Sequence, residues 1–238
     1  SGFDTTKVVN MNGMFWGCNN LKNIDVSNFK TSNVTDMNNM FADCSNLTTL
    51  DLSNFDTSNV LYMGNPYHYS YGGMFRNCSS LVNLNISSFN TSKVKDMSDM
   101  FYGCSSLVTL DLSSFNTSNV TSMGSMFANC TNLKNLNLSS FDTGRVTNMQ
   151  SMFDGCSGLK ILDLSSFNPH NVTTMILMFS GCTNLETIIF DNFDTSSVTS
   201  MQQMFYKCYA LKSLDLSSFN TSNVTNMYSM FCYCSSLI

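Results

Sequence analysis

The chain has 238 residues, of which 43% are hydrophobic and only 11% are charged, and its formal net charge is −5. This length is enough to bury a sizeable core, and weak acidity without any lysine or arginine cluster excludes the basic footprint of a nucleic-acid-binding protein. No apolar run reaches the roughly 18 residues that a membrane-spanning helix needs, so we expect no membrane insertion.

A repeated unit of 26 residues organises the chain. The cysteines set the period: Cys104, Cys130 and Cys156 lie 26 residues apart, and only the step from Cys44 to Cys78 is longer, at 34. Nine units are visible, with one insertion. A tandem repeat of this length predicts a solenoid, in which each unit buries its apolar face against its neighbours. We therefore predict a single repeat domain over residues 1–238.

Two hydrophobic patterns within the unit 105–130 predict two elements. In LVTLDLSSF, Leu110 and Leu112 alternate with polar residues, which predicts a half-buried strand. In VTSMGSMFANC, apolar residues recur at the spacing of one helix face, which predicts a short helix with Ser118 or Asn119 as its N-cap. The predicted fold class is therefore α/β, a right-handed solenoid of nine 26-residue strand–helix units with recurrent Val, Met, Phe, Leu and Cys in its core.

The ten cysteines allow two interpretations. All but Cys232 fall in one column of the repeat on the apolar stripe, which favours buried free thiols, because free cysteine packs as a small hydrophobe. Neighbouring strands lie roughly 4.8 Å apart, a separation that disulfides also tolerate, so bridges between units are the alternative. Neither a CxxC pair nor a cysteine beside a histidine occurs, and we predict no metal and no cofactor.

The insertion falls in GNPYHYSYGG, residues 64–73, where Gly-Asn-Pro and Gly-Gly predict a protruding loop. Its aromatic side chains and that of Tyr62 form the first candidate binding site: Tyr62, Tyr67, His68, Tyr69 and Tyr71. Tyrosine offers a large rigid contact surface with a polar tip, and loops on repeat scaffolds are often placed on the binding face. The alternative is an inert loop whose tyrosines fold back over the neighbouring units.

The outward positions of the strands form a second candidate surface. One outward column reads Asp25, Asp51, Asn85, Asp111, Asn137, Asp163, Ile189, Asp215. Only Asp25 and Asp51 are neighbours in it, which argues against a calcium site and favours a solvated face. We retain Asp111 and Asp163 as candidate ligand contacts. Ile189 joins them because Ile161 lies one unit away in the adjoining outward column, so that the two could form an apolar spot.

Nucleophilic catalysis finds no support in the chain. Both histidines of the chain, His68 and His170, fall in predicted loops or turns rather than on the strands. A Ser–His–acid arrangement is therefore not indicated, and no glycine-rich phosphate loop occurs. We predict that the chain is not an enzyme.

The unit LxxLDLSSFNTSNVTxMxxMFxxC resembles the BspA-like leucine-rich-repeat surface proteins of bacteria, over essentially all 238 residues. Leu107, Leu110 and Leu112 are similar to the LxxLxL strand of leucine-rich repeats, whereas Phe115 stands where an Asn or Cys ladder is usual. The resemblance implies a leucine-rich-repeat-like solenoid, with flatter curvature where Phe115 departs from the pattern. It also implies an extracellular protein at the cell surface or cell wall, often part of a larger adhesin, and it supplies no catalytic residues.

Two functional hypotheses follow. The first is an adhesion module that engages an extracellular protein or glycan of a host or neighbouring cell. The alternative is a structural spacer or a self-assembling subunit of an extracellular filament, which would associate end to end because an uncovered coil is a template for further stacking. Since Ser1 and Ile238 both fall within a unit, we also expect the sequence to be a fragment of a larger protein.

Overall fold

The computed structural model describes residues 3–65 and 72–238. Successive repeats stack as coils in register, because one residue of each coil forms a parallel backbone bridge with its equivalent in the next coil. The bridged residues are Asn10, Asp36, Tyr62, Asp96, Ser122, Asn148, Thr174, Ser200 and Asn226. The same register continues across the insertion, where Tyr62 pairs with Asp96. The result is a solenoid in which the 26-residue unit makes one coil.

Short parallel strands occupy the LxxLxL segments. They are β1 (Thr49–Asp51), β2 (Asn83–Asn85), β3 (Thr109–Leu110), β4 (Asn135–Leu136), β5 (Ile161–Asp163) and β6 (Thr187–Ile189). They pair as β1–β2, β3–β4 and β5–β6, with Leu50 opposite Leu84, Leu110 opposite Leu136 and Leu162 opposite Ile188. The central residue of each three-residue strand points inward and its neighbours point outward, as the alternation predicts.

The predicted strand–helix unit is wrong. No helix occurs in residues 3–65 and 72–238, and this part of the chain therefore contains no helix that could cross a membrane. The segment 120–130, for which we predicted a helix, forms consecutive tight turns. We call this segment and its equivalents in the other coils the turn segment. The unit is thus strand–turn rather than strand–helix, and the α component of the predicted fold class is absent from the described residues.

The backbone hydrogen bonds of the turn segment explain why it is not helical. Alternate amides donate to carbonyls of the next coil at 2.7–3.1 Å: Met123 to Asn148, Ser125 to Gln150, Phe127 to Met152 and Asn129 to Asp154. The amides of Met126, Ala128 and Cys130 close turns onto residues three positions earlier. In an α-helix, the amides beyond the first turn would all donate to carbonyls within the helix. Here half of them join coils, and positive φ angles at Ser125 (53°) and Asn129 (60°) reverse the chain twice.

The core consists of like residues stacked from coil to coil. In the central unit Val120, Met123, Met126, Phe127 and Cys130 are all at most 1% exposed. The ring of Phe127 stacks between those of Phe101 and Phe153, with centroid distances of 5.8 and 5.7 Å. Successive tight turns bring residues three and four apart to the same side, as a helix would. The sequence pattern therefore identified the buried residues correctly but not the backbone that buries them.

A buried threonine ladder joins the coils on the side where the strand gives way to the turn. Thr117 is 1% exposed, and its Oγ1 both donates to the carbonyl of Asp142 and accepts from the amide of Asp142, each at 2.8 Å. Thr5, Thr31, Thr57, Thr91 and Thr195 make the same pair of bonds. Each hydroxyl satisfies two backbone groups that are partly or fully buried, which ties one coil to the next.

Candidate functional site

The outward residues of the LxxLxL segments form a continuous exposed surface, which we call the strand face. Between residues 17 and 208, in the part of the chain that the structure describes, all exposed large hydrophobic side chains lie on this face. They are Val82 (51% exposed), Val108 (40%), Ile161 (62%) and Ile189 (42%). Val82 and Val108 occupy equivalent positions of adjacent coils, while Ile161 and Ile189 lie on the paired strands β5 and β6. The strand face is therefore where apolar groups meet solvent in the middle of the solenoid.

Asp111 and Asp163 lie on the strand face, where each carboxylate closes a local turn. Oδ1 of Asp111 accepts the amide hydrogen of Ser113 at 2.9 Å, and Oδ1 of Asp163 accepts that of Ser165 at 2.9 Å. Backbone and side-chain hydrogen bonds from these serines lower the pKa of both carboxyls. Asn137 makes the same bond to Ser139 at 3.0 Å. The alternation of Asp and Asn in this column therefore fits a turn that either side chain can close.

No metal centre is formed from this column. Within residues 3–65 and 72–238, no group of three or more His, Cys, Asp or Glu side chains is arranged to hold a metal ion. Ile189 stands where the other coils have Asp or Asn, so its coil lacks the turn-closing carboxylate and presents an exposed apolar side chain instead. Ile189 lies opposite Asp163 in the β5–β6 pair, and Ile161 lies opposite Thr187. The two isoleucines thus share one face, diagonally across adjacent strands.

Tyr62 is half-buried and sits in the bridge ladder between Asp36 and Asp96. It lines a groove of about 340 Å³ together with Lys95, Asp96, Thr121 and Ser122, among others. Tyr67, His68, Tyr69 and Tyr71 lie outside the residues that the structure describes. Of the aromatic cluster predicted at the insertion, the structure therefore places only Tyr62, which lies next to the point where the insertion leaves the coil.

The base of the insertion is closed like a regular turn. The amide of Met74 donates to the carbonyl of Met63 at 2.8 Å, as the amide of Met126 donates to Met123 at 3.2 Å in an uninterrupted unit. Both Met63 and Met74 are fully buried. The solenoid core therefore continues beneath the insertion, and the extra residues leave the coil without breaking the methionine ladder.

Two glycines allow the backbone at both ends of the insertion to lie close to the neighbouring coil. A Cβ on Gly64 would lie 2.3 Å from the backbone nitrogen of Ser98, and one on Gly73 would lie 2.2 Å from the carbonyl oxygen of Asp99. Gly73 also has a φ of 152°, which side-chain-bearing residues rarely adopt. The insertion thus begins and ends in backbone contact with the neighbouring coil.

A buried polar cluster beside the insertion was not predicted from the sequence. Arg76 is 8% exposed, its guanidinium carbon lies 4.0 Å from the centroid of the Tyr102 ring, and its Nη1 lies 3.4 Å from Oδ1 of Asp99. Burial raises the pKa of Asp99 to about 6, against the opposing effect of Arg76. The signal available in the sequence was Arg76 itself, the only charged residue at its repeat position in the first five units.

All ten cysteines are free. In eight successive coils, from Cys44 to Cys234, the thiol donates to the carbonyl of a phenylalanine in the preceding coil at 3.0–3.1 Å. Burial raises the pKa of Cys44 to about 11 and that of Cys130 to about 12. Such thiols are protonated at neutral pH and serve as core packing groups, so the first of the two interpretations of the cysteines holds in this structure.

With the geometry established, comparison with known proteins identifies the repeat. A family model described as "Mycoplasma protein of unknown function, DUF285" matches residues 1–71, 69–168 and 153–238, which together span the whole chain. The chain belongs to the DUF285 family. No curated protein matches it.

Three solved structures of bacterial leucine-rich-repeat proteins are similar to the fold. The T. pallidum protein TpLRR is 19% identical (TM-score 0.45), with 89% of this chain and 75% of that one covered. A Bacteroides ovatus protein is 20% identical (TM-score 0.38; 92% and 69% covered), and a Eubacterium ventriosum protein is 18% identical (TM-score 0.48; 86% and 57% covered). All three are named as leucine-rich-repeat proteins, the kind of protein that the repeat resembles in sequence.

Proposed function

We propose that this DUF285 chain is a non-enzymatic binding module at a bacterial cell surface or cell wall, where it engages a protein or glycan of a host or neighbouring cell. The strand face is the primary contact surface in this proposal, and the loop at residues 64–73 is an additional one. The leucine-rich-repeat resemblance supports a role in protein binding, while adhesion and extracellular location are parts of the proposal.

The distribution of exposed apolar side chains carries the proposal. Val82, Val108, Ile161 and Ile189 are exposed on one face of the solenoid, and no other large apolar side chain between residues 17 and 208 is exposed in the part that the structure describes. Apolar groups that recur on one exposed surface indicate an interaction site more strongly than the same number scattered singly. The strand face also carries a groove of about 470 Å³, lined in part by Thr49, Val82 and Asp111.

A binding screen of the purified chain against extracellular-matrix proteins and glycans tests the proposal. We expect the double variant Val82→Ser/Val108→Ser to weaken binding to any ligand found, because these side chains are exposed and contribute little to the core. The matched control is Thr147→Ser/Thr173→Ser, which changes two exposed side chains of the turn side. Equal binding by both variants and the wild type would show that the strand face is not the contact surface.

Deletion of residues 65–72 tests the loop separately. It joins Gly64 to Gly73 and restores the Met-x-x-Met spacing of the regular unit, so the closing hydrogen bond between Met63 and Met74 can be kept. Weaker binding with an unchanged thermal unfolding temperature would place a contact in the loop. Unchanged binding would assign ligand recognition to the strand face alone.

A second candidate function, self-assembly end to end, has one specific observation in its favour. The amides of Met11, Gly13, Phe15 and Gly17 donate to the following coil, as those of each later turn segment do. When the chain is isolated, its last coil would therefore present amide donors and its first coil carbonyl acceptors, so that the two faces are complementary. Light scattering over a range of protein concentrations tests it: growing mass supports assembly, and a constant monomer mass rejects it.

A further inference from the structure

A second groove on the strand side is formed at the position of Gly158. This groove has a volume of about 760 Å³, and we call it the lysine groove; the residues that matter for its chemistry are Asn132, Lys134, Gly158, Lys160, Ile161 and Asn184. Gly158 lies between Asn132 and Asn184 in one repeat column, in which it is the only glycine. At this position the groove is lined by backbone without a side chain, between the two flanking asparagines.

The shape of the groove depends on that glycine. A Cβ on Gly158 would lie 2.7 Å from the carbonyl oxygen of Leu133 and 2.8 Å from that of Thr131. The coils therefore approach one another more closely at Gly158 than a side chain would allow. Asn184 spans the next step with a 2.7 Å hydrogen bond from its Nδ2 to the carbonyl of Ser157, which fixes one wall of the groove.

The groove carries the positive charges of two lysines. Lys134 and Lys160 occupy equivalent positions of adjacent coils, both are exposed, and neither forms a salt bridge with any residue in 3–65 or 72–238. Like charges on neighbouring strands are mutually unfavourable. No acidic residue lines the groove.

The neighbouring coils show how such a lysine is otherwise accommodated. Lys212, in the same repeat column, donates to Oε2 of Glu186 at 2.6 Å. Hydrogen bonding to Lys212 is the largest influence that lowers the pKa of Glu186, followed by the charge of Lys212, and the charge of Lys160 ranks below both. The one acid of this column is therefore already bonded on the far side from the groove, which leaves Lys134 and Lys160 available to a partner.

We propose that the lysine groove binds an acidic segment of a partner protein, with carboxylates on Lys134 and Lys160 and an apolar side chain on Ile161. The inference rests on the proposed binding function and names the chemistry of the partner. Two exposed lysines are complementary in charge to carboxylates of the partner. Ile161 is 62% exposed, more than any other large apolar residue of the central coils, and it can pack against an apolar side chain beside those carboxylates.

Fluorescence anisotropy with a labelled octapeptide that contains glutamates and two leucines tests the inference on the full chain. Lys134→Gln/Lys160→Gln should weaken binding by about tenfold, and binding to the wild type should fall as salt rises, because both contacts are ionic. Lys22→Gln/Lys93→Gln removes two exposed lysines elsewhere and is the control for net charge. Ile161→Ser should also weaken binding.

Several outcomes would overturn the inference. These are equal affinity for a matched peptide with lysine in place of glutamate, equal losses in the two double-lysine variants, and no loss in Lys134→Gln/Lys160→Gln. The acidic partner would be refuted if the wild type did not bind the peptide. The proposed binding function would still stand if, in the same set of experiments, Val82→Ser/Val108→Ser weakened binding to a ligand found in the matrix screen.

Discussion

The inward and outward positions of the repeat obey different rules. Inward, the same residue recurs from coil to coil: a Met, a Phe and a Cys occupy fixed positions of the turn segment and are buried throughout the central coils. Outward, the residues of the strand face vary along the stack, with Lys134, Lys160 and Glu186 in one column and Asp163 followed by Ile189 in another. Stacking requires each coil to present its neighbour with the same surface, whereas solvent makes no such demand.

This difference separates the residues that determine the fold from those available for recognition. An inward substitution disturbs contacts with two neighbouring coils, while an outward substitution alters only the exposed surface. The comparison therefore predicts large stability effects with little effect on binding from inward changes, and the reverse from outward ones.

The largest expected effect is on the aromatic ladder. Phe127→Ala removes a fully buried ring that stacks on Phe101 and Phe153, and it should lower the free energy of unfolding by about 3–5 kcal/mol. Asp111→Ser, on the exposed strand face, should change it by less than about 0.5 kcal/mol, since serine can also close the local turn. Chemical denaturation measures both, and similar losses in the two variants would break the distinction between inward and outward positions.

The threonine ladder should show an intermediate effect. Thr117→Val keeps the shape of a buried side chain but removes both hydrogen bonds to Asp142, at an expected cost of about 1–3 kcal/mol. Thr121→Val is the matched control, because Thr121 is exposed and its hydroxyl makes one bond, to the carbonyl of Lys95 at 3.1 Å. Thermal unfolding of the two variants, compared with the wild type, measures the difference. A larger loss at Thr121 would contradict the ladder's structural role.

Asp99 is a half-buried carboxyl, intermediate between the inward and outward positions. Its pKa is raised to about 6 in the folded protein from the ordinary value of 3.8, so between these values the folded state holds a proton that the unfolded state releases. Stability from this group is therefore present below the unfolded pKa and is lost as pH rises through the folded pKa. We expect a loss of about 1–2 kcal/mol between pH 4 and pH 7 after allowance for partial solvation.

Asp99→Asn isolates that contribution. The variant cannot titrate at this position, so its free energy of unfolding, measured by denaturation at a series of pH values, should fall less than that of the wild type across the window. The remaining carboxyls titrate alike in both proteins and cancel in the difference. Parallel curves for the two proteins would show that Asp99 does not titrate differently in the folded and unfolded states.

The sequence could predict the stacking and the buried residues because both depend on period alone. Val120, Met123 and Phe127 were correctly placed inward, since any backbone that repeats every three to four residues turns them to the same side. The choice between helix and turns depends on where the amides of Ser125 and Asn129 find acceptors. Those acceptors lie 25 residues away in the next coil, and a pattern within one unit contains no information about them.

The turn chemistry shows the same limit at closer range. Ser118 or Asn119 was predicted to cap a helix, but no helix forms there, and the side chain of Asn116 accepts the amide hydrogen of Ser118 at 3.1 Å. On the candidate surfaces, strand alternation correctly predicted that Ile189 is exposed. It could not predict the lysine groove, because the groove depends on how closely the coils pack at Gly158. Likewise Arg76 and Tyr102 lie in different coils, and their contact follows only from the register of the stack.

A small gain in stability is expected at a position where the backbone of the repeat is strained. Leu177 has a φ of 59°, in the left-handed region where the other coils place Gly, Asn, Asp, Ser or Gln. Leucine is disfavoured there and its side chain is only half-buried, so Leu177→Asn should raise the free energy of unfolding by about 0.5–1 kcal/mol. Ile176→Asn, at the preceding half-buried position, is the control without positive φ. Chemical denaturation of both variants measures the change in the free energy of unfolding. Stabilisation at position 177 alone supports backbone strain in the turn. Destabilisation there would mean that the packing of Leu177 contributes more to stability than its strained backbone removes.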